Sequence, residues 1–277
     1  MKKVVKVIDF HIHVGDPKDW TPWVVEFFKL RNPIYFNTIF DKLSAEKVIT
    51  YLKSQGIERA VMLAEYAPKT SGVLTNKYIS EFCKGHDELI PFGSLCLYDE
   101  KPLTEQAEEA YNLLKMKGFK MLPTYAHFYP NDERLFPFYE QVQSWDIPVL
   151  FHTGTSVFKG SRVKYGDPLF LDDVADSFPH MKIILEHGGR PFWYDRAYWM
   201  ITRHENVFIG ITGIPIDKLL EYFPKLEKYQ DRFLFGSDWP GLPEIKILID
   251  RIYSLPISNE AKEKILYKNA GRLLGLL

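Results

Sequence analysis

Short apolar, β-branched runs alternate with longer amphipathic stretches along almost the whole chain. The runs predict strands at 4–10, 58–64, 89–95, 117–122, 147–152, 181–187, 206–211 and 232–237. Amphipathic spacing predicts helices near 41–55, 73–85, 103–116, 132–145, 168–177, 191–204, 215–229 and 243–254, with a final helical stretch over 259–275. Start signals support them: Asp41 and Ser44 precede the first helix, Pro102 and Thr104 open the third, and Pro215 opens the seventh. Eight strands, each followed by a helix, read as an α/β chain folded into a (β/α)8 TIM barrel. An open doubly wound sheet is disfavoured, because no glycine-rich phosphate fingerprint follows the first strand. No linker or low-complexity tract interrupts residues 1–277, so a single domain is expected.

One connection breaks the pattern. Residues 14–40 form a long insert after the first strand, carrying Trp20, Trp23, Phe27, Phe28, Tyr35, Phe36 and Phe40. A βα loop opens onto the C-terminal face of a barrel, where active sites lie. The insert is therefore expected to be a lid or one wall of a substrate pocket, or else a helix packed on the rim or against a second subunit.

Composition narrows the class. The 277 residues are 46% hydrophobic and 26% charged, as in a soluble globular chain. A net charge of −1 gives no reason to expect nucleic acid or an acidic membrane surface as a partner. No apolar run reaches the ~18 residues of a membrane span, and the Met1-Lys2-Lys3 start leads into a strand rather than a secretory core. A cytoplasmic protein is expected, with Cys83 and Cys96 as reduced thiols.

The chemistry sits at strand ends. Along Val7–His13, simple alternation places Asp9, His11 and His13 on one face and Ile8, Phe10 and Ile12 on the other. His152 ends the fifth strand, His187 the sixth and Asp238 the eighth. Barrel closure brings these ends to one mouth. Four imidazoles and a carboxylate suit one catalytic divalent metal, Zn2+ first, with Mn2+, Fe2+ or Co2+ as competitors. His11, His13 and His152 would supply neutral nitrogens, and Asp238 would either ligate or take a proton from an activated water. His187 would polarise a substrate oxygen or serve as general acid or base. Asp9 is a candidate for orienting an imidazole. His86, His180 and His204 are bland by position, and His127, in the loop after the fourth strand, could reach the mouth but reads more readily as a solvated loop histidine.

The segments Asp9–His13, Phe151-His152-Thr153-Gly154, His187-Gly188-Gly189 and Gly236-Ser237-Asp238-Trp239-Pro240 resemble the amidohydrolase superfamily, in particular its amidohydrolase 2 branch. Gly118–Pro123, Asp146–His152 and Lys268–Gly275 are similar to further motifs of that branch. The resemblance implies that His11, His13, His152 and Asp238 ligate the metal and that His187 is catalytic. The branch includes hydrolases, relatives that open cyclic esters (some without metal), and decarboxylases similar to those of aminocarboxymuconate semialdehyde and γ-resorcylate. Reaction type is thus left open.

On the substrate side, Arg190, Arg162 and Arg196 offer carboxylate-binding forks, with Arg190 nearest the catalytic strand end. Trp193, Tyr194 and Trp239 are expected as flat walls, and Lys120 as a charged residue near the mouth. A carboxylated Lys120 bridging two metals is the less favoured reading. The arginines could instead pair with Glu186 or Asp195. The expectation is a metal-dependent hydrolase of a C–N or C–O bond in a small carboxylic acid, amide or lactone. The alternative is a metal-dependent decarboxylase of an aromatic or unsaturated carboxylate. A third reading, an inactive binding protein, is disfavoured because every motif position is filled. The expected partner is a small-molecule substrate, and the insert's aromatics could reach a second subunit in a homodimer.

Overall fold

The computed structural model describes residues 6–242 and 244–277. Its strands are β1 (Ile8–Ile12), β2 (Arg59–Leu63), β3 (Glu65–Ala67), β4 (Gly72–Leu74), β5 (Leu89–Phe92), β6 (Phe119–Met121), β7 (Val149–His152), β8 (Ile183–Glu186), β9 (Val207–Gly210) and β10 (Phe233–Leu234). All but the β3–β4 hairpin pair in parallel, as β1-β2-β5 and β6-β7-β8-β9-β10. Backbone bonds close both seams. Lys120 N–H donates to the Gly93 carbonyl at 2.7 Å, joining β5 to β6. Phe10 N–H donates to Phe235 at 2.9 Å and Asp238 N–H to His11 at 3.1 Å, returning β10 to β1. The ring is the (β/α)8 TIM barrel that the alternation predicts.

Several boundaries differ from expectation. The first strand runs to Ile12 rather than ending at residue 10; residues 1–5, including the Lys2-Lys3 start, lie outside the described residues, as does Pro243 at the head of the eighth predicted helix. The helix expected from 73 begins at Asn76, because Gly72–Leu74 pair antiparallel with Glu65–Ala67. Thr75 caps it, its Oγ1 accepting from Tyr78 N–H at 3.1 Å. The helix expected over 215–229 breaks into short turns around Pro224, which cannot continue an α-helical hydrogen-bond ladder.

Inside the barrel, Ile8, Phe10, Val61, Leu63, Leu150, Ile184 and Leu234 form one apolar cluster. Ala270 and Leu273, from the C-terminal helical stretch Asn259–Leu273, complete it from below and plug the N-terminal end of the barrel. Phe10 meets Phe92 edge to face at 5.5 Å, an arrangement that contributes ~1 kcal/mol beyond area burial. The alternate positions, among them Ala60, Met62, Met121, Phe151 and Leu185, face outward and pack against the helices.

Strand β1 breaks its own alternation. Asp9 is level with Ala60 and Ile12 with Met62, three steps against two, so β1 carries a β-bulge. Ile8 and Phe10 face the barrel interior, whereas Ile12 belongs to the outer cluster. The bulge corrects the single-face reading: His11 and His13 turn to the mouth, and Asp9 turns with Ala60 to the outside. There its Oδ1 accepts from His11 N–H at 3.1 Å and Ser237 N–H at 2.9 Å, tying β1 to the end of the eighth barrel strand. Asp9 therefore orients backbone, not an imidazole.

Candidate metal centre and substrate cavity

Two strand ends supply the closest donor group. His11 Nε2 lies 3.0 Å from His13 Nε2, and Asp238 Oδ1 stands 3.5 and 3.4 Å from these two nitrogens. Behind the rings stand two buried carboxylates. Glu186 Oε2 is 3.2 Å from His11 Nδ1, and Glu65 Oε2 is 3.4 Å from His13 Nδ1. An acid behind Nδ1 holds the ring proton there and leaves the Nε2 lone pair forward. Two forward lone pairs and a carboxylate oxygen cannot crowd one point without a cation between them. The donor set fits one divalent metal ion.

The charges are tuned accordingly. Burial, with Lys120 nearby, lowers His11 to about 4. Burial also opposes charge on His13, but Asp238 and Glu65 outweigh it and raise this imidazole to about 9. Burial disfavours charge on Asp238 as well, yet His13, His11 and His187 hold its carboxyl well below the ordinary carboxylate range.

His152 and His187 stand beside this group. Their rings are 4.5 Å apart, and His187 is 5.3 Å from His11. His152 Nε2 faces the Thr155 carbonyl at 3.3 Å, outside the tight three-residue group. His187 Nδ1 donates to the Thr212 carbonyl at 2.9 Å, so its Nε2 carries the lone pair of the neutral ring. Burial, then Arg190 and His152, keep His187 neutral well below its usual range. His187 and Asp238 both adopt left-handed backbone, with φ of 67° and 63°. Non-glycine residues pay ~1–3 kcal/mol for such conformations, which cluster at functional sites.

The donors line one end of a cavity. The insert forms its outer wall, through Trp20, Val24, Phe27 and Phe28. Helix α1 (Pro22–Arg31) meets the loop after β7 where Phe27 and Phe158 cross edge to face at 5.2 Å. Asn32 anchors the insert, its Nδ2 donating to the Leu242 carbonyl at 3.1 Å. Val24, Phe27 and Phe28 of α1 thus line the cavity, while Tyr35 and Phe40 are buried in packing.

The substrate-side expectations divide. Lys120 and Arg190 line the cavity. Arg162 is exposed and does not line it: its backbone binds Thr124, and no cavity contact holds its side chain. Trp239 is also corrected. It is fully buried beneath the insert, stacked on Tyr51 at 5.1 Å and against Tyr35 at 4.6 Å, because the turn after Asp238 sends successive side chains apart. Tyr194 stacks on Tyr222, and Arg196 pairs with Asp167. Glu186 pairs with His11 rather than with an arginine. His127 contacts the Gly160 carbonyl at 2.7 Å and does not line the cavity. Sequence reasoning missed Glu65, which follows the second strand as the histidines follow theirs, and the Tyr125–Phe158 wall.

The Amidohydrolase family model matches residues 8–276. A gamma-resorcylate decarboxylase of Rhizobium sp. is 24% identical over 252 residues, 73% of this chain and 75% of that protein. One from Polaromonas sp. is 27% identical over 180 residues, where the match spans 50% of this chain and 54% of that relative's length. Among solved structures, an uncharacterised TIM-barrel protein of Bordetella bronchiseptica has a TM-score of 0.83 at 24% identity, covering 98% and 99% of the two chains. A dihydroxybenzoic acid decarboxylase of Polaromonas sp. with bound manganese and 2-nitroresorcinol has a TM-score of 0.72 at 17% identity, covering 98% and 97%. Because the family model spans the barrel and every strand end described above, this chain belongs to the amidohydrolase family.

Proposed function

We propose that the chain is a metal-dependent, non-oxidative decarboxylase of a small aromatic carboxylic acid. One observation carries the reading: a histidine–carboxylate metal pole closes one end of a cavity whose walls are aromatic and apolar. The named relatives with matching sequence, gamma-resorcylate decarboxylases, support the same reaction class. It is the alternative of the sequence reading, here preferred to hydrolysis.

His11, His13 and Asp238 would hold the metal, with His152 beside them. When bound, it would supply a positive pole that anchors and polarises substrate oxygens. Manganese in a structural neighbour makes Mn2+ the ion to test beside Zn2+. Phe27, Phe28, Tyr125 and Phe158 would supply apolar walls against the ring. His187 begins neutral, with Nε2 free. It takes an acidic proton from the arriving substrate and returns it to the ring carbon as the bond to the carboxylate breaks. The bonding pair stays with the ring, CO2 leaves, and the proton replaces it.

Hydrolysis remains the second reading, favoured by the 28% exposure of the Asp238 side chain, which lets water reach the pole. The deciding experiment incubates Mn2+- or Zn2+-loaded protein with hydroxybenzoates and with a lactone and amide panel. Release of CO2 that His187→Asn abolishes, with metal retained, is the expected result. Turnover of the lactones or amides alone would overturn it.

A further inference from the structure

At the floor of the cavity sits a cation with nothing to hold. Lys120 pairs in register with Leu150, one layer below His152 and Glu186 on the neighbouring strands. Its side chain is 1% exposed, lines the cavity, and its Nζ has no hydrogen-bond partner. A buried ammonium left unpaired is costly, so chains keep one where a ligand completes it. Glu65, Glu186 and Asp238 favour its charge through space, but none forms a hydrogen bond or ion pair with it. Glu65 takes the Ser71 hydroxyl and faces His13, Glu186 faces His11 and His187 N–H, and Asp238 faces both metal-pole imidazoles.

We propose that Lys120 is an anion subsite that selects aromatic acids carrying a second acidic oxygen. One acidic group of the substrate lies at the metal pole, and a phenolic or second carboxylate oxygen reaches down to the Lys120 ammonium. This rests on the reading of the cavity as an aromatic-acid site. It goes further by assigning the specificity to a single amine. Arg190 lines the same cavity, and its guanidinium occupies the space where a β-carbon of Gly213 would stand.

The test is binding rather than turnover, so that it stands apart from the reaction class. Calorimetry on the Mn2+-loaded protein compares benzoate with the isomeric hydroxybenzoates and benzenedicarboxylates. At least one doubly acidic ligand is expected to bind roughly 10- to 100-fold more tightly than benzoate. Lys120→Met is expected to erase that preference while leaving benzoate affinity and Mn2+ affinity within about threefold. Lys120→Arg should restore part of it, and thermal melting of both variants confirms that they fold. Three outcomes would overturn the proposal. The preference could survive in Lys120→Met. The variant could change Mn2+ affinity alone, making Lys120 a counter-charge to the carboxylates. The intact chain could carry the added mass of one CO2 on Lys120 together with two metal equivalents. If no acid is decarboxylated yet the preference tracks Lys120, the reaction assignment fails and the subsite remains.

Discussion

Single atoms decide how the metal pole is built. Glu186 has room only because its partner in register on β9 is Gly210, where a β-carbon would overlap the carboxylate. Gly210→Ala should therefore push Glu186 off His11 and weaken metal affinity by about 10- to 100-fold, measured by competition with a chromophoric chelator. Glu65→Gln should act the same way through His13. Unchanged affinity in both variants would remove the carboxylates from the metal's support. Lys120 makes the opposite trade. Its burial lowers the ammonium to about 8, so Lys120→Met should raise stability by ~1–3 kcal/mol while harming ligand choice. A lower melting temperature would show that the charge holds the fold together.

At the level of elements, the strand ends were legible and the bends were not. Period-two alternation and apolar runs located the barrel strands, and closure then brought His11, His13, His152, His187 and Asp238 to one end. Alternation could not see the bulge in β1, because an inserted residue leaves no mark on hydrophobicity when Phe10 and His11 both tolerate the inside. Nor could it tell that Trp239 leaves the mouth for the space under the insert, since that depends on Tyr35 and Tyr51 from distant segments. The insert offers its own test. Phe28 is buried among Trp20, Tyr35 and Phe40. Phe28→Ala should cost ~3–5 kcal/mol, seen in denaturant unfolding. Phe27, half-buried at the crossing with Phe158, should cost less and instead speed ligand release.

The whole molecule should be weak toward acid when stripped of metal. His11, His152 and His187 have folded values below the ordinary 6.5, mainly through burial. Below pH 6.5 the unfolded chain binds these protons and the folded chain does not, so stability falls as pH drops. Asp9 works in the other direction. Burial raises it to about 7, so from pH 7 down toward 4 the folded chain gains a proton before the unfolded one. Three imidazoles outnumber one carboxyl, so melting temperature should decline from pH 6.5 toward 4. A flat profile would show that the histidines are not held neutral. Adding a divalent ion at about 100 times its dissociation constant should stabilise the fold by ~2.7 kcal/mol.

The placement of Trp20 gives the protein an optical reporter of its own. Its indole lines the cavity and crosses the His13 ring edge to face at 6.1 Å, whereas Trp239 is sealed from solvent beneath the insert. Paramagnetic Mn2+ at the pole should quench emission from Trp20 and leave that of Trp239 largely untouched. A bound aromatic acid should then shift what remains. Occupancy could thus be followed by fluorescence in the unlabelled chain, and Trp20→Phe would identify the source by abolishing the change.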